Sequence, residues 1–231
     1  MTSITQPQPT SPLLALPAEL RNEILYHLLI QRQPTPPSYL GAPRSPKQPR
    51  FCANVLQTCK QLRDEGTPIL YGENTFSAHP SLLASLPSLL LATRPYRISL
   101  PPVKEARLIP LIKRFYIHVR LDTDPQFSAE QVAESFSGVE VLSVEVFQSM
   151  YESCDFGVLR LFEGVRGVGK AMVHGSIGDG EYARWLEEVM MTSPDEQHVP
   201  KGNEAMLGKS MAWDTIPEVS TPALGALTAR M

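Results

Sequence analysis

From Ile112 onward the apolar residues change period several times in quick succession, and no other property of the chain narrows its fold as much. Phe115, Ile117, Val119 and Leu121 alternate with Tyr116, His118 and Arg120, the two-residue repeat of a half-buried strand. Ser128-Ala-Glu-Gln131 reads as a capping box, in which a serine hydroxyl and a glutamine amide satisfy backbone groups at a helix start. Val132 and Phe136 carry the apolar side of that helix. A second strand is predicted at Val139–Phe147, a helix at Phe156–Phe162 and a third strand at Lys170–His174. A last helix turns Tyr182, Trp185, Leu186 and Val189 inward before Ser193-Pro194 stops it, and Asp179 is placed to cap its start. Strand–helix alternation of this kind implies parallel strands with right-handed crossovers. The expected class is mixed α/β, with strands recurring about every 25 to 30 residues, near the leucine-rich-repeat range.

Proline punctuates the rest. Many of the 22 prolines fall before Leu13 or between Pro34 and Pro49. Stretches such as Gln-Pro-Thr-Pro-Pro cannot bury a face and favour extended, solvated chain. The expected organisation is a disordered tail at 1–12, then a helical module at 13–78 carrying a proline-rich insert at 32–50. A Leu/Pro-rich connector at 79–110, read as short helical turns, leads to the strand–helix unit at 111–192. A loosely ordered tail at 193–231, packed locally by Met211 and Trp213, follows.

Several function classes drop out on composition. A formal charge of −3 with no dense run of Lys and Arg gives no reason to expect a nucleic-acid partner. The longest apolar stretch, Leu82–Ala92, is broken by Pro87 and too short to span a bilayer, so no membrane partner is expected. Residues 1–12 have neither the basic start nor the apolar run of a secretory signal. Cys52, Cys59 and Cys154 are too few for a disulfide framework, which points to a reducing compartment, cytoplasm or nucleus.

Within the helical module, Pro17 suits a first helical position, where its missing N–H would have no partner. Leu16, Leu20, Ile24 and Leu28 recur at four-residue intervals with Leu25 and Leu29 beside them, opposite Glu19, Arg21 and Glu23. A second helix is expected at Ala53–Glu65 with Val55, Leu56, Cys59 and Leu62 as its stripe. Thr67-Pro68 is read as the start of a short third helix that Gly72 ends, and Asn74-Thr75-Phe76 leads out extended.

The blocks Leu-Pro-Ala-Glu-Leu-Arg-Asn-Glu-Ile-Leu (16–25), Leu-Gln-Thr-Cys-Lys-Gln-Leu-Arg-Asp-Glu-Gly (56–66) and Pro-Ile-Leu-Tyr-Gly-Glu-Asn-Thr-Phe (68–76) resemble, in this order, the F-box-like proteins of filamentous fungi. Ile-Lys-Arg-Phe-Tyr-Ile-His-Val-Arg-Leu-Asp (112–122), Leu-Phe-Glu-Gly-Val-Arg-Gly-Val (161–168) and Tyr-Ala-Arg-Trp-Leu (182–186) extend the likeness to most of residues 16–192. The resemblance implies an intracellular, non-catalytic interaction protein with no cofactor and no catalytic residues to carry over. An F-box docks a Skp-type adaptor and brings substrates to a cullin-based ubiquitin ligase. In that role Leu16, Pro17, Leu20, Ile24 and Leu28 would shape the docking helix. The insert at 32–50 follows this helix directly, where a compact F-box turns quickly into its next one.

Other constellations carry less. Gly164-Val-Arg-Gly-Val-Gly-Lys-Ala171 nearly matches a phosphate-binding loop, but the expected order is helix, loop, strand, the reverse of what that chemistry needs. Ala171 also stands where a magnesium-binding hydroxyl belongs. A nucleotide-dependent enzyme using residues 164–171 is the least favoured alternative, and a stand-alone scaffold that binds no ligase adaptor is the nearer one. His27, His79, His118, His174 and His198 lack metal-ligand spacing, as does the Cys52/Cys59 pair. Ser143, Asp122 and His118 supply the residue types of a hydrolase triad without a nucleophile-elbow sequence.

One surface follows from the two-residue period. If Phe115, Ile117, Val119, Leu142, Val144, Val146, Ala171 and Val173 face the helices, the other sheet face shows Tyr116, His118, Arg120, Ser143, Glu145, Phe147, Lys170, Met172 and His174. Aromatic, Arg and Met side chains together suit protein recognition. Tyr116, His118, Arg120, Glu145, Phe147, Met172 and His174 are therefore the expected client-binding residues.

Overall fold

A computed structural model describes residues 11–31, 51–92, 97–148, 156–178 and 180–194. The expected tails apart from residues 11, 12, 193 and 194 lie outside these residues, as do the insert 32–50, Cys154, Asp179, His198, Met211 and Trp213. The chain runs α1 (Ala18–Leu29), a 3-10 turn (Ala53–Gln57), α2 (Lys60–Glu73), β1 (Phe76–His79), β2 (Leu83–Ala92), β3 (Arg97–Ser99) and a second 3-10 turn (Ala106–Leu111). It continues through β4 (Arg114–Arg120), α3 (Ala129–Phe136), β5 (Val141–Phe147), α4 (Gly157–Arg160), β6 (Lys170–Gly175) and α5 (Glu181–Met191). The protein is mixed α/β, as the periodicity implies.

The six strands form one sheet in the order β3-β2-β1-β4-β5-β6. β1, β4, β5 and β6 are parallel neighbours, whereas β2 and β3 are antiparallel additions on the other side of β1. Phe115, Ile117, Val119, Leu142, Val144, Val146, Ala171 and Val173 are all buried, in a core shared with Val132 and Phe136 of α3, Leu159 of α4, Phe162 and Leu186. Aromatic rings hold the layers together. Phe136 meets Phe115 edge-on at 5.6 Å and stacks on Phe162 at 6.3 Å, and Tyr182 stacks between Phe156 and Trp185. The capping box forms as the sequence requires: Gln131 N–H donates to Ser128 Oγ, and Ser128 N–H donates to Gln131 Oε1. At the β6 end of the sheet, Val173 N–H donates to Glu187 Oε1 of α5 at 2.6 Å, so a carboxylate covers an amide that a second strand could otherwise pair.

Several local expectations are corrected. The connector is a helical turn only at its end, Ala106–Leu111, because its earlier part contributes β2 and β3, added to the same sheet as the parallel strands. Pro87 is tolerated because it sits in a bulge: between the pairs Ser77↔Ser88 and His79↔Leu83, two steps along β1 match five along β2. A residue without an N–H fits where the ladder is already broken. Secondly, α2 runs unbroken through Pro68. Pro68 is exposed, so water can reach the carbonyl its ring leaves unpaired, and Thr67 Oγ1 donates to Arg63 O at 2.6 Å beside it. Thirdly, residues 53–57 form a 3-10 turn rather than the start of a helix, and Pro17 stands one place before α1 rather than as its first residue.

The helices α1 and α2 pack on each other and on the β1 end of the core. Leu25, Leu29, Leu62 and Leu70 belong to the same buried cluster as the sheet, and Tyr71 stacks on Phe76 at 5.4 Å. Gly66 gives the close approach: a Cβ there would lie 2.4 Å from Leu56 Cδ2 and 3.0 Å from Leu29 Cδ1. Although residues 32–50 intervene in the chain, Cys52 N–H donates to Leu28 O at 2.9 Å, so the far end of the insert returns to α1.

Candidate functional site

Two surfaces are expected from the sequence, and the first lies on α1. Its buried face is Arg21, Leu25 and Leu29, not the four-residue series Leu16, Leu20, Ile24 and Leu28. Leu20 is 52% exposed, Ile24 36%, and Leu28 only half-buried, so this series forms a ridge rising out of the core. Leu16 is half-buried and Pro17 exposed at its start.

What fixes this rotation is a buried cation. The Arg21 guanidinium forks the Glu65 carboxylate of α2 at 2.9 and 2.7 Å and also donates to the carbonyl of Leu16. Asn74 locks the other end: its amide donates to Leu29 O and Leu70 O, both at 2.9 Å, and its Oδ1 accepts from Gln31 N–H. One buried side chain thereby satisfies one last-turn carbonyl of each helix, which would otherwise lack a partner. The sequence alone places Asn74 in extended chain, and the signal for its bridging role is a polar residue directly after a helix end.

The Arg21 fork, with a further bond from Gln61, holds the Glu65 carboxyl down to about 2 from its ordinary 4.5. A folded-state value below the ordinary one stabilises the fold fully above about pH 4.5, and that contribution is lost as pH falls toward 2. Urea midpoints of the wild type are expected to fall across this window more steeply than those of Glu65→Gln. Equal slopes would remove the pair from any role in acid stability.

The second surface is the sheet face turned away from α3–α5. Register places its residues in rows: Ser77, Tyr116, Ser143 and Met172 across four strands, then His118, Glu145 and His174, then Arg120 and Phe147. His118 and Arg120 are exposed and Phe147 is 45% exposed, while Glu145, Met172 and His174 are half-buried. Tyr116 is the exception among the expected client-binding residues. It is 8% exposed, with its hydroxyl donating to Glu145, and so offers little surface. The His118 and Phe147 rings lie 5.9 Å apart, and the Arg120 guanidinium sits 6.0 Å above the Phe147 ring while forking Asp122 at 3.1 and 2.9 Å. An exposed aromatic flanked by a cation is the pairing that recurs at interface anchors.

The fold brings the two surfaces close. Tyr26 and Ile30, on the flank of α1 away from Ile24, share a groove of about 330 Å³ with Tyr116, Ser143 and Met172. Arg114 lines it too, bonded to Glu73 at 2.7 Å, with its Nε lacking a partner among the described residues.

The other constellations take structural places. In the Gly-rich loop before β6, the N–H groups of Gly167, Val168, Gly169 and Lys170 already donate to the carbonyls of Thr192, Met190, Val139 and Glu140. The amides a phosphate would need are therefore spent. Ser143 stands in the row of Tyr116 rather than that of His118, and Asp122 is held by Arg120. Among the described residues no three His, Cys, Asp or Glu side chains gather as a metal site, and no helix is long and apolar enough to cross a membrane. The fold and its surfaces thus define a mixed α/β protein with an exposed apolar helix ridge and a partly open sheet face. Comparison with protein-family models, curated proteins and solved structures finds no match to this chain.

Proposed function

We propose that this chain is an intracellular, non-catalytic protein–protein interaction protein of the F-box type, in which α1 docks a Skp-type adaptor and the sheet face receives the client of a cullin-based ubiquitin ligase. One observation carries the reading. On a helix whose core contacts are already supplied by Arg21, Leu25 and Leu29, Leu20 and Ile24 remain outside. Leucine and isoleucine left exposed on a pinned helix suit a helix-face contact with another protein. The return of the chain to α1 at Cys52 supports a compact module despite the insert. The stand-alone scaffold remains the alternative, supported by the Arg120–Phe147–His118 cluster, which needs no adaptor to present it.

Co-purification with a Skp-type adaptor tests the proposal. The wild type is expected to form a stoichiometric complex. A Leu20→Asp, Ile24→Asp variant, whose changes lie outside the core, is expected to keep its thermal midpoint and bind at least ~100-fold more weakly. A folded wild type that takes up no adaptor would leave the scaffold reading. Binding that survives the double change would move the docking surface off α1.

A further inference from the structure

The chain leaves β1 in one direction and β4 in the other. After His79 it turns to the antiparallel side of the sheet through residues 80–82 into β2, whereas after Arg120 it turns through residues 121–128 toward α3 and β5. β1 and β4 are adjacent parallel strands, so their carboxyl ends point the same way and their loops part company above them. Divergence of this kind opens a crevice at the carboxyl edge of the sheet, the place where open α/β sheets bind ligands. A cavity of about 580 Å³ occupies that position, lined by Ser81 and Asp124 from the two loops and by the strand residues Ser77, His79, Ser88, His118 and Arg120. Its size is that of a small-molecule site.

The chemistry of the lining narrows the ligand. His79 Nδ1 accepts from the N–H groups of Ser81 and Leu82, both at 3.1 Å, which leaves Nε2 as the protonated nitrogen. That turn is tightly determined, for Leu83 just beyond it is a buried residue at φ 49°. The Arg120 charge is offset by Asp122, and Asp124 adds a second carboxylate, so a phosphate or carboxylate would meet no net positive field. Serine hydroxyls at Ser77, Ser88 and Ser99, which both donate and accept, line the cavity together with a donor at His79 and an acceptor at Asp124. Leu86, Phe127 and Val158 add apolar lining.

We propose that this crevice is a binding site for a small, neutral, polyhydroxylated ligand, whose vicinal hydroxyls match the mixed donors and acceptors and whose C–H groups meet the apolar lining. The site is separate from the α1 ridge, so its test does not depend on the adaptor.

Amide correlation spectra of the full chain, titrated with glucose and with myo-inositol, provide that test. Saturable shifts confined to residues 77–81 and 118–127 are expected at up to tens of millimolar. Asp124→Ala, an exposed change that leaves the rest of the spectrum intact, should weaken binding about tenfold. Absence of saturation with both polyols, equal response to acetate or phosphate, or unchanged affinity in Asp124→Ala would each overturn the proposal.

Discussion

Gly175→Ala is expected to destabilise the protein by at least ~3 kcal/mol, the largest single-methyl effect in the fold. Gly175 ends β6 at φ +110°, and a Cβ there would lie 2.1 Å from Val146 O on β5. That carbonyl is already engaged, accepting from Ser176 N–H at 2.9 Å. The added methyl must therefore part the ends of β5 and β6, because backbone cannot swing aside as a flexible side chain can. Gly138 separates the two contributions. It also has positive φ, +77°, but a Cβ there meets nothing within 4 Å. Gly138→Ala should thus lose only the conformational part, roughly 1 kcal/mol. For a chain of this size, at least ~3 kcal/mol corresponds to a fall of about 6–12 °C in thermal midpoint. Equal midpoints for the two variants would show that the β5–β6 end yields more easily than its geometry implies.

The same contrast between local and distant causes explains what the sequence made legible. β4, α3, β5, β6 and α5 could be read because each carries its own period, and the Ser128 capping box needs only four consecutive residues. The face composition followed as well, since strand side chains alternate whatever the sheet's neighbours are. β2 was illegible for the opposite reason. Leu82–Ala92 has no alternation and contains Pro87, and only pairing with the distant β1, through a bulge, makes it a strand. Missing β2 and β3 also hid the crevice, because the divergence of loops above β1 and β4 exists only once the chain is known to turn both ways. Tyr116 shows the limit of alternation: the period gives its face, but its hydrogen bond to Glu145 on the next strand and its place in the groove with Tyr26 set its burial.

On α1 the ambiguity was one of rotation, and a pair of substitutions resolves it. Leucine or isoleucine at positions 16, 20, 24, 25, 28, 29 and 30 wraps much of the helix, so periodicity admits more than one inward face. The structure selects Leu25 and Leu29, both 0% exposed, because Arg21 must reach Glu65 on α2 and Gly66 lets the helices close. Leu25→Ala should accordingly cost ~2–5 kcal/mol, the range for emptying a buried leucine site. Leu20→Ala removes a side chain of which half is already in water, and should stay within about 0.5 kcal/mol. Chemical denaturation of both variants, with unchanged denaturant slopes, reads the difference directly. A reversed ranking would put the series Leu16, Leu20, Ile24 and Leu28 in the core after all. It would also remove the exposed ridge on which adaptor docking rests, because a leucine cannot both anchor α1 inside the protein and present it to a partner.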